Sequence, residues 1–200
     1  MKKSNSPKNQ INPADGGVPY HNELNDDEAV ALLRVLTDYS GALDLLDDYD
    51  HQRVKVSRTK VEHAKDITYG EAINAIGLLR QKFGGSNLFG REKDESLRGS
   101  LAAVTQTFAG RDLYPGLEEK AAHLLYFLVK NHSFVDGNKR IAAALFLWFM
   151  EKNGILYRAD MTRHIADNAL VAITLMIAES AAAQKDILIK VVVNLIKDRN

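Results

Sequence analysis

Residues 131–140 (NHSFVDGNKR) concentrate the side chains that could do chemistry. His132 could accept a proton from a hydroxyl, because an imidazole changes its charge near neutral pH and often serves as a general base. Asp136 supplies a carboxylate, which Mg²⁺ commonly takes as a ligand together with substrate phosphates. Gly137 permits a tight backbone turn that other residues resist. These residue types at this spacing indicate a reactive turn.

The residues after the glycine favour an anion. An apolar run begins at Ile141 and predicts a helix, whose first N–H groups and positive dipole end would face the turn. Lys139 and Arg140 place two cations in the first helical turn. Cations are unfavourable at the positive end of the dipole unless a bound anion neutralises them. The pattern therefore predicts a phosphate site with a metal ligand and a base. The alternative is a structural histidine, a helix cap at Asp136 and two solvated cations.

Two very apolar helices are predicted to position this turn. The first begins near Glu118 and Glu119, whose carboxylates suit the positive end of a helix dipole, and runs through Leu128. The second covers residues 141–150 (IAAALFLWFM) and stops by Gly154. Ten residues cannot cross a bilayer, so the second run predicts a buried core helix and not a membrane segment.

The rest of the chain also favours helices. A helix is predicted from Asn25 to an acidic end at residues 44–50, and further helices cover residues 68–83, a stretch from about 95, residues 162–180 and residues 185–197. The last contains IKVVVNLI, which could form a strand, but no second strand is available to pair with it. The prediction is an all-α fold with seven or so helices around the two very apolar ones.

Residues 1–25 are rich in Asn, Pro, Ser, Lys and Gly and have no apolar periodicity. Such a segment cannot bury enough apolar surface to offset its ordering entropy. The predicted organisation is therefore a flexible N-terminal segment over residues 1–25 and one domain over residues 26–200.

Composition excludes several classes of protein. The chain has 200 residues, 26 basic and 26 acidic side chains and no cysteine. Zero net charge argues against a wholesale nucleic-acid binder, which usually carries a basic excess. Without cysteine there is no disulfide, thiolate zinc site or cysteine nucleophile. No apolar run follows the first lysines, so no secretory signal is expected and a cytoplasmic protein is predicted.

The segment HSFVDGNKR resembles the motif of the Fic/Doc (Fido) family, His-x-Phe-x-Asp/Glu-Gly/Ala-Asn-Gly/Lys-Arg. The surrounding LYPGLEEKAAHLLYFLVKNHSFVDGNKRIAAALFLWFMEKNGI is similar to Doc-type members. Residues 26–200 resemble the C-terminal Fic/Doc domain of RhuM-type virulence-associated bacterial proteins. Those proteins carry a DNA-binding-like region ahead of this domain, so the chain is expected to be a short family member or an excised domain.

The resemblance implies a role for each residue of the motif. His132 would deprotonate a protein hydroxyl, and Asp136 would hold Mg²⁺ on the phosphates of ATP or another nucleoside triphosphate. Phe134 would be structural. The nucleotide- and phosphate-binding residues would be Gly137, Asn138, Lys139 and Arg140.

The resemblance also implies a fold and partners. The family fold is a compact helical bundle with a β-hairpin flap that docks the target peptide by strand addition, and we expect this flap within residues 101–108. The partners would be a protein substrate and an antitoxin or upstream regulatory region, and an oligomer is possible. We expect the domain to bind neither nucleic acid nor a membrane. No glutamate has Ser or Thr four positions earlier, so the family's self-inhibitory motif is not expected.

Two departures from the AMP-transferring pattern bear on the reaction. Lys139 stands where those members have a second glycine, and Ala143 stands where they have a final arginine. Doc shares the lysine and transfers the γ-phosphate, so we favour phosphoryl transfer to a Ser or Thr hydroxyl. Gly137 stands where Doc has alanine, which keeps AMP transfer as the alternative. A catalytically silent Fic scaffold that acts as an interaction or regulatory module is the second alternative.

Overall fold

The structure is a computed structural model that describes residues 26–56, 64–83 and 86–197. The contacts between residues divide the chain into two units, with the boundary between Asp44 and Leu45. The predicted flexible segment, residues 1–25, lies outside the described residues, and the predicted domain boundary at residue 26 stays a prediction.

The single helix predicted after Asn25 is wrong, because the structure has two helices there. They are α1 (Asp26–Asp38) and α2 (Ser40–Asp50). Ser40 and Gly41 follow the break; serine competes for backbone hydrogen bonds and glycine has low helix propensity. The apolar residues of α1 that suggested a buried face are exposed, with Leu33 at 63%. The prediction that this region ends in its acidic stretch is confirmed, since α2 ends at Asp50.

The unit formed by residues 45–200 is a helical bundle. Its helices are α3 (Tyr69–Phe83), α4 (Ser96–Val104), α5 (Leu117–Asn131), α6 (Asn138–Lys152), α7 (Asp167–Glu179) and α8 (Lys185–Ile196). Helices α4, α6, α7 and α8 pack on α5, while α3 and α7 also pack on α6. None of the described helices is long and apolar enough to span a membrane.

The core lies between the two helices that the sequence marks as most apolar. Leu125 of α5 and Leu145 and Phe146 of α6 have no exposed surface, and Leu124 and Phe149 are almost as deeply buried. The predicted all-α fold with a small hairpin is confirmed. The preference for helix over strand in IKVVVNLI is also confirmed, because this segment lies in α8.

The hairpin is present, but most of the expected range, residues 101–108, lies before it in the chain. Strands β1 (Thr107–Phe108) and β2 (Arg111–Asp112) pair antiparallel through a turn at Ala109 and Gly110, which both have positive φ. Residues 101–104 belong instead to α4, because Leu101 and Val104, three positions apart, are both buried on one helical face. Only Thr107 and Phe108 of the expected flap are strand.

A buried lysine fixes where the hairpin lies. Lys120, in the first turn of α5, is 4% exposed, and its Nζ lies 2.9 Å from Oδ2 of Asp112. His132 follows the other end of α5, twelve residues later. A helix rises 1.5 Å per residue, so Lys120, which contacts the hairpin, and His132 are separated by roughly 18 Å along the helix axis.

The helix predicted over residues 162–180 begins later, at Asp167. Ahead of it, Tyr157 and Arg163 form an antiparallel bridge, and the N–H of His164 donates to the carbonyl of Leu156 at 3.0 Å. The Arg158 guanidinium also donates to the carbonyl of Arg163 at 2.6 Å. These bonds hold residues 157–164 in a folded-back loop, so a helix cannot form there.

The buried imidazole of His123 should make the bundle sensitive to acid. Its ring stacks on Tyr114 with the centroids 3.6 Å apart, and burial lowers its pKa from 6.5 to about 4. Between these pH values the unfolded chain binds a proton that the folded chain does not, so the free energy of unfolding falls as pH falls. Because of His123, the free energy of unfolding should fall by about 2 kcal/mol between pH 6.5 and pH 5.

The variant His123→Phe keeps a ring in the stack and removes the titration. In urea unfolding at pH 7 and pH 5, it should lose about 2 kcal/mol less than the wild type. His51→Ala is the control with opposite sign, because the hydrogen bond to the Asp47 carbonyl and the Asp47 carboxylate raise the pKa of exposed His51. Equal acid sensitivity of His123→Phe and wild type would contradict the prediction.

Candidate active site

The reactive turn predicted from the sequence joins the two core helices. Helix α5 ends at Asn131, and His132 caps it in the left-handed conformation, with φ 48° and ψ 47°. Helix α6 begins at Asn138, directly after Gly137, which has φ 88°. Between them Phe134 is 1% exposed and anchors the turn in the core, while the His132 side chain stays exposed.

All six predicted site residues line one open cavity of about 250 Å³. Val135 completes its lining. The six are His132, Asp136, Gly137, Asn138, Lys139 and Arg140. The structure therefore brings the candidate base, the candidate metal ligand and the candidate phosphate-binding residues to one place.

The Asn138 side chain closes the turn on itself. Its Oδ1 accepts a hydrogen bond from the N–H of Phe134 at 2.8 Å, and its Nδ2 donates to the carbonyl of Phe134 at 2.6 Å. These two hydrogen bonds tie the start of α6 to the buried middle of the turn. The amide group is thus engaged in shaping the turn, so a phosphate would meet the backbone of Asn138 before its side chain.

The first turn of α6 offers the anion site that the sequence suggested. The first N–H groups of a helix have no partner within it, and they carry the positive end of the dipole. In α6 these belong to Asn138, Lys139 and Arg140, and the helical bonding starts with the N–H of Ile141, which donates to the carbonyl of Gly137 at 2.9 Å. Lys139 and Arg140 are both exposed beside it.

Asp136 and Arg140 form a long, exposed ion pair. The Arg140 Nη2 lies 3.7 Å from Oδ1 of Asp136, and both side chains are close to half exposed. An exposed pair at this distance is weak, so either group can turn to a ligand at little cost. The Arg140 guanidinium also lies over the Phe89 ring, 4.7 Å from its centroid.

The donor set fits magnesium shared with a phosphate-bearing substrate. Asp136 is the one carboxylate among the residues that line the cavity. No group of three or more His, Asp or Glu side chains that could hold a metal occurs in residues 26–56, 64–83 or 86–197. Magnesium needs few protein ligands, because it keeps waters and binds substrate phosphates.

Sequence reasoning missed Phe89, a buried residue that shapes the cavity. A Cβ on Gly137 would lie 2.5 Å from Cε2 of the Phe89 ring, so this ring leaves room only for glycine. The Phe89 carbonyl accepts a hydrogen bond from Nε of Arg80 at 2.7 Å, which fixes it from behind. No local pattern identifies Phe89, since the contact joins residues 48 positions apart.

The loop of residues 86–95 runs beside the turn. The N–H of Gly90 donates to the carbonyl of Asp136 at 3.0 Å, and the N–H of Val135 donates to the carbonyl of Arg91 at 2.9 Å. Isolated bridges join Phe89 to Asp136 and residue 92 to residue 134. The backbone next to the turn is therefore this segment, whereas the hairpin lies at the far end of α5.

The variant Gly137→Ala tests how tightly the turn is built. The left-handed φ alone should cost about 1–2 kcal/mol for a residue with a side chain, and the Phe89 ring blocks the added methyl group. Gly99→Ala is the matched control, because Gly99 lies in α4 with nothing within 4 Å of a new Cβ. That change should stabilise the protein by about 0.5–1 kcal/mol.

Both free energies of unfolding can be measured in urea, and Phe89→Leu in the Gly137→Ala background should recover part of the loss. Equal stability of the two alanine variants would show that the turn tolerates a side chain at residue 137.

Comparison with known proteins shows the family of this chain. A family model described as the Fic/DOC family matches residues 45–150. A curated relative, Toxin Doc of Mycolicibacterium smegmatis, is 45% identical over 80 residues, which are 38% of this chain and 62% of the relative's length. No solved structure matches. Family members are typically transferases that act on proteins. Because the family model matches more than half of the residues of this chain, the chain belongs to the Fic/DOC family.

Proposed function

We propose that this protein is a magnesium-dependent transferase that moves the γ-phosphoryl group of ATP or another nucleoside triphosphate to a Ser or Thr hydroxyl of a protein. The observation that carries the proposal is the single open cavity lined by His132, Asp136 and the first turn of α6. A base, a hard metal ligand and an anion site meet there, and phosphoryl transfer needs these three.

The phosphates would bind at the N-terminus of α6. Its unpaired N–H groups and positive dipole end favour an anion, and Gly137 lines the cavity beside them. Lys139 and Arg140 add two cations within reach, and Arg140 can leave Asp136 because their pairing is weak. Asp136 would hold Mg²⁺ against the phosphates. A bound Mg²⁺ would neutralise charge on the transferring phosphoryl group.

A groove beside the phosphate site is suited to the nucleoside. It has a volume of about 160 Å³ and runs between α6 and α7 from Lys139 and Arg140. Its remaining lining is almost wholly apolar and consists of Ala143, Leu170, Val171, Thr174 and Leu175. An apolar groove that starts at a phosphate cradle supports a triphosphate with its base and ribose attached, rather than free phosphate.

His132 would act as the general base. Its imidazole is exposed at the cavity and can take the proton of an incoming protein hydroxyl. The hydroxyl oxygen then forms a bond to the γ-phosphorus, and the bond from that phosphorus to the β–γ bridging oxygen breaks. The nucleoside diphosphate leaves with the electron pair, and His132 later gives its proton to solvent.

Lys139 favours γ-phosphoryl over AMP transfer in this proposal. It lines both the phosphate cavity and the apolar groove, so its side chain occupies the junction between them. A lysine there fills space that a smaller residue would leave for an α-phosphate. AMP transfer is the second candidate, and the glycine at residue 137 is the observation that favours it.

The toxin relative suggests a biological setting. We extend the proposal to a toxin-like activity in the cytoplasm that a separate antitoxin restrains, because the matched relative is named Toxin Doc. The chain spans 62% of that relative's length, so this setting rests on likeness over a part of the protein.

Label transfer to proteins of a cell lysate, with Mg²⁺ and ATP labelled on the α- or the γ-phosphate, tests the reaction. Label should come from the γ-phosphate alone. His132→Ala should reduce transfer by roughly 10²–10⁴, the usual contribution of a general base. His51→Ala is the matched control, because His51 is exposed on the segment after α2 and away from the cavity residues.

Label from the α-phosphate would replace the proposal by AMP transfer. Label from neither ATP, with no rise in melting temperature on adding Mg²⁺ and a panel of nucleoside triphosphates, would favour a silent scaffold. A ligand that binds only the folded state raises the melting temperature, whereas a protein without a nucleotide site shows no change.

Lys139→Gly tests the selecting residue. Removing the side chain should open the junction between cavity and groove and move the labelled product from γ-phosphate toward α-phosphate. The measurement is the ratio of α to γ label on the same lysate proteins. Lys185→Gly in α8, whose Nζ lies 4.7 Å from the Phe127 ring centroid, is a control for loss of a lysine elsewhere. An unchanged ratio in Lys139→Gly would exclude Lys139 as the selector.

A further inference from the structure

Helix α4 holds both neighbours of His132 in the chain. On one side, Nδ2 of Asn131 donates a hydrogen bond to Oγ of Ser100 at 2.8 Å. On the other, Oγ of Ser96 donates to Oγ of Ser133 at 2.9 Å. Ser100 and Ser96 are four positions apart and therefore lie on one face of α4. His132 thus sits between two residues that are tied to the same helix.

The two serines of α4 are also linked to each other. The Ser100 hydroxyl donates to the carbonyl of Ser96 at 2.8 Å, so its oxygen is turned toward Asn131 as an acceptor. Ser100 and Ser133 have no exposed surface. In a buried network of this kind each hydroxyl depends on its partner, because an unpaired buried polar group is costly.

Helix α4 is a rigid support for this network. Leu97 has no exposed surface and Leu101 is 8% exposed, so the face next to the two serines is anchored in the core. The backbone adds a further tie, since the N–H of Lys93 donates to the carbonyl of Ser133 at 2.9 Å. Motion of the Ser133 side of the turn would break bonds to both segments.

His132 needs such support because of its backbone. Its φ of 48° lies in the left-handed region, which residues with a side chain rarely adopt. A conformation of this kind persists only where the surrounding structure imposes it. The bonds from α4 hold the side chains of residues 131 and 133, which flank this strained residue.

We propose that Ser96 and Ser100 are positioning residues that keep His132 in its left-handed conformation, with the imidazole at the cavity. This inference rests on the proposed function, in which His132 is the base. The phosphate side of the turn is held separately by the Asn138 bonds to Phe134. Loosening the α4 network should therefore disturb the base and leave nucleotide binding intact.

The test compares Ser96→Ala and Ser100→Ala with Ser180→Ala. Ser180→Ala removes one hydroxyl hydrogen bond, from Oγ to the carbonyl of Ile177 at 2.7 Å, at the end of α7 and outside the α4 network. In the label-transfer assay, kcat of the two α4 variants should fall by about tenfold to a hundredfold, because small misplacement of a reacting group has costs of this size. Their KM for Mg²⁺-ATP should change less than twofold, and Ser180→Ala should match the wild type.

A rescue and a double variant separate positioning from general loss of stability. Ser96 is only half-buried, so Ser96→Thr can keep the hydroxyl and should retain most of the activity that Ser96→Ala loses. Asn131→Ala combined with Ser100→Ala should reduce kcat no further than Ser100→Ala alone, because the serine change already removes the bond that Asn131 makes. Additive losses in the double variant would overturn the link between these two residues.

An NMR measurement provides a readout that does not depend on catalysis. The backbone amide and ring signals of His132 should form one set in the wild type and in Ser180→Ala. In Ser96→Ala and Ser100→Ala they should broaden or split, and the coupling that reports φ of His132 should change. If the wild type transfers no label and these signals still change, the proposed function fails and the positioning role stands.

If the wild type transfers label while the α4 variants match Ser180→Ala in both kcat and the His132 signals, the positioning role is overturned and the proposed function is unaffected.

Discussion

The two hydrogen bonds between the Asn138 side chain and the backbone of Phe134 are the constraint on which the site depends. They fold the turn between the core helices so that one end points into the core and the other remains open. Phe134 is buried at one end, and the first N–H groups of α6 are available at the other. Without this closure the first turn of α6 would not be tied to the buried middle of the turn.

The bundle holds the turn from three directions, and each direction supports a different part of the candidate site. Phe89 and the loop after it contact Gly137 and Asp136, which shapes the side of the cavity with the candidate phosphate and metal ligands. Helix α4 holds residues 131 and 133, which flank the candidate base His132. Core burial of α5 and α6 fixes the two ends of the turn, because Leu125 and Leu145 have no exposed surface. A small reactive loop can therefore be rigid without disulfides or a metal cage.

Local patterns predicted the bundle better than its connections. The helices of the core were predictable because apolar residues repeat with helical spacing and end at glycine or charged stops, as in α3, α5 and α6. The predictions were wrong where tertiary contacts determined the secondary structure. Residues 101–104 could have been strand or helix, and burial of Leu101 and Val104 made them helical. The bonds of Arg158 and His164 folded back a segment that was expected to be helical.

The sequence by itself determined the residue types of the site and their order, since nine consecutive residues carry the motif and His132, Asp136 and Gly137 need no distant partner to be noticed. It also determined the all-α class, through periodicity that is local along the chain. Only the tertiary structure decided that Phe89 excludes a side chain at Gly137 and that Ser96 and Ser100 hold the neighbours of His132. These contacts join residues 31 to 48 positions apart, so they arise only when the helices pack and leave no local pattern to identify them.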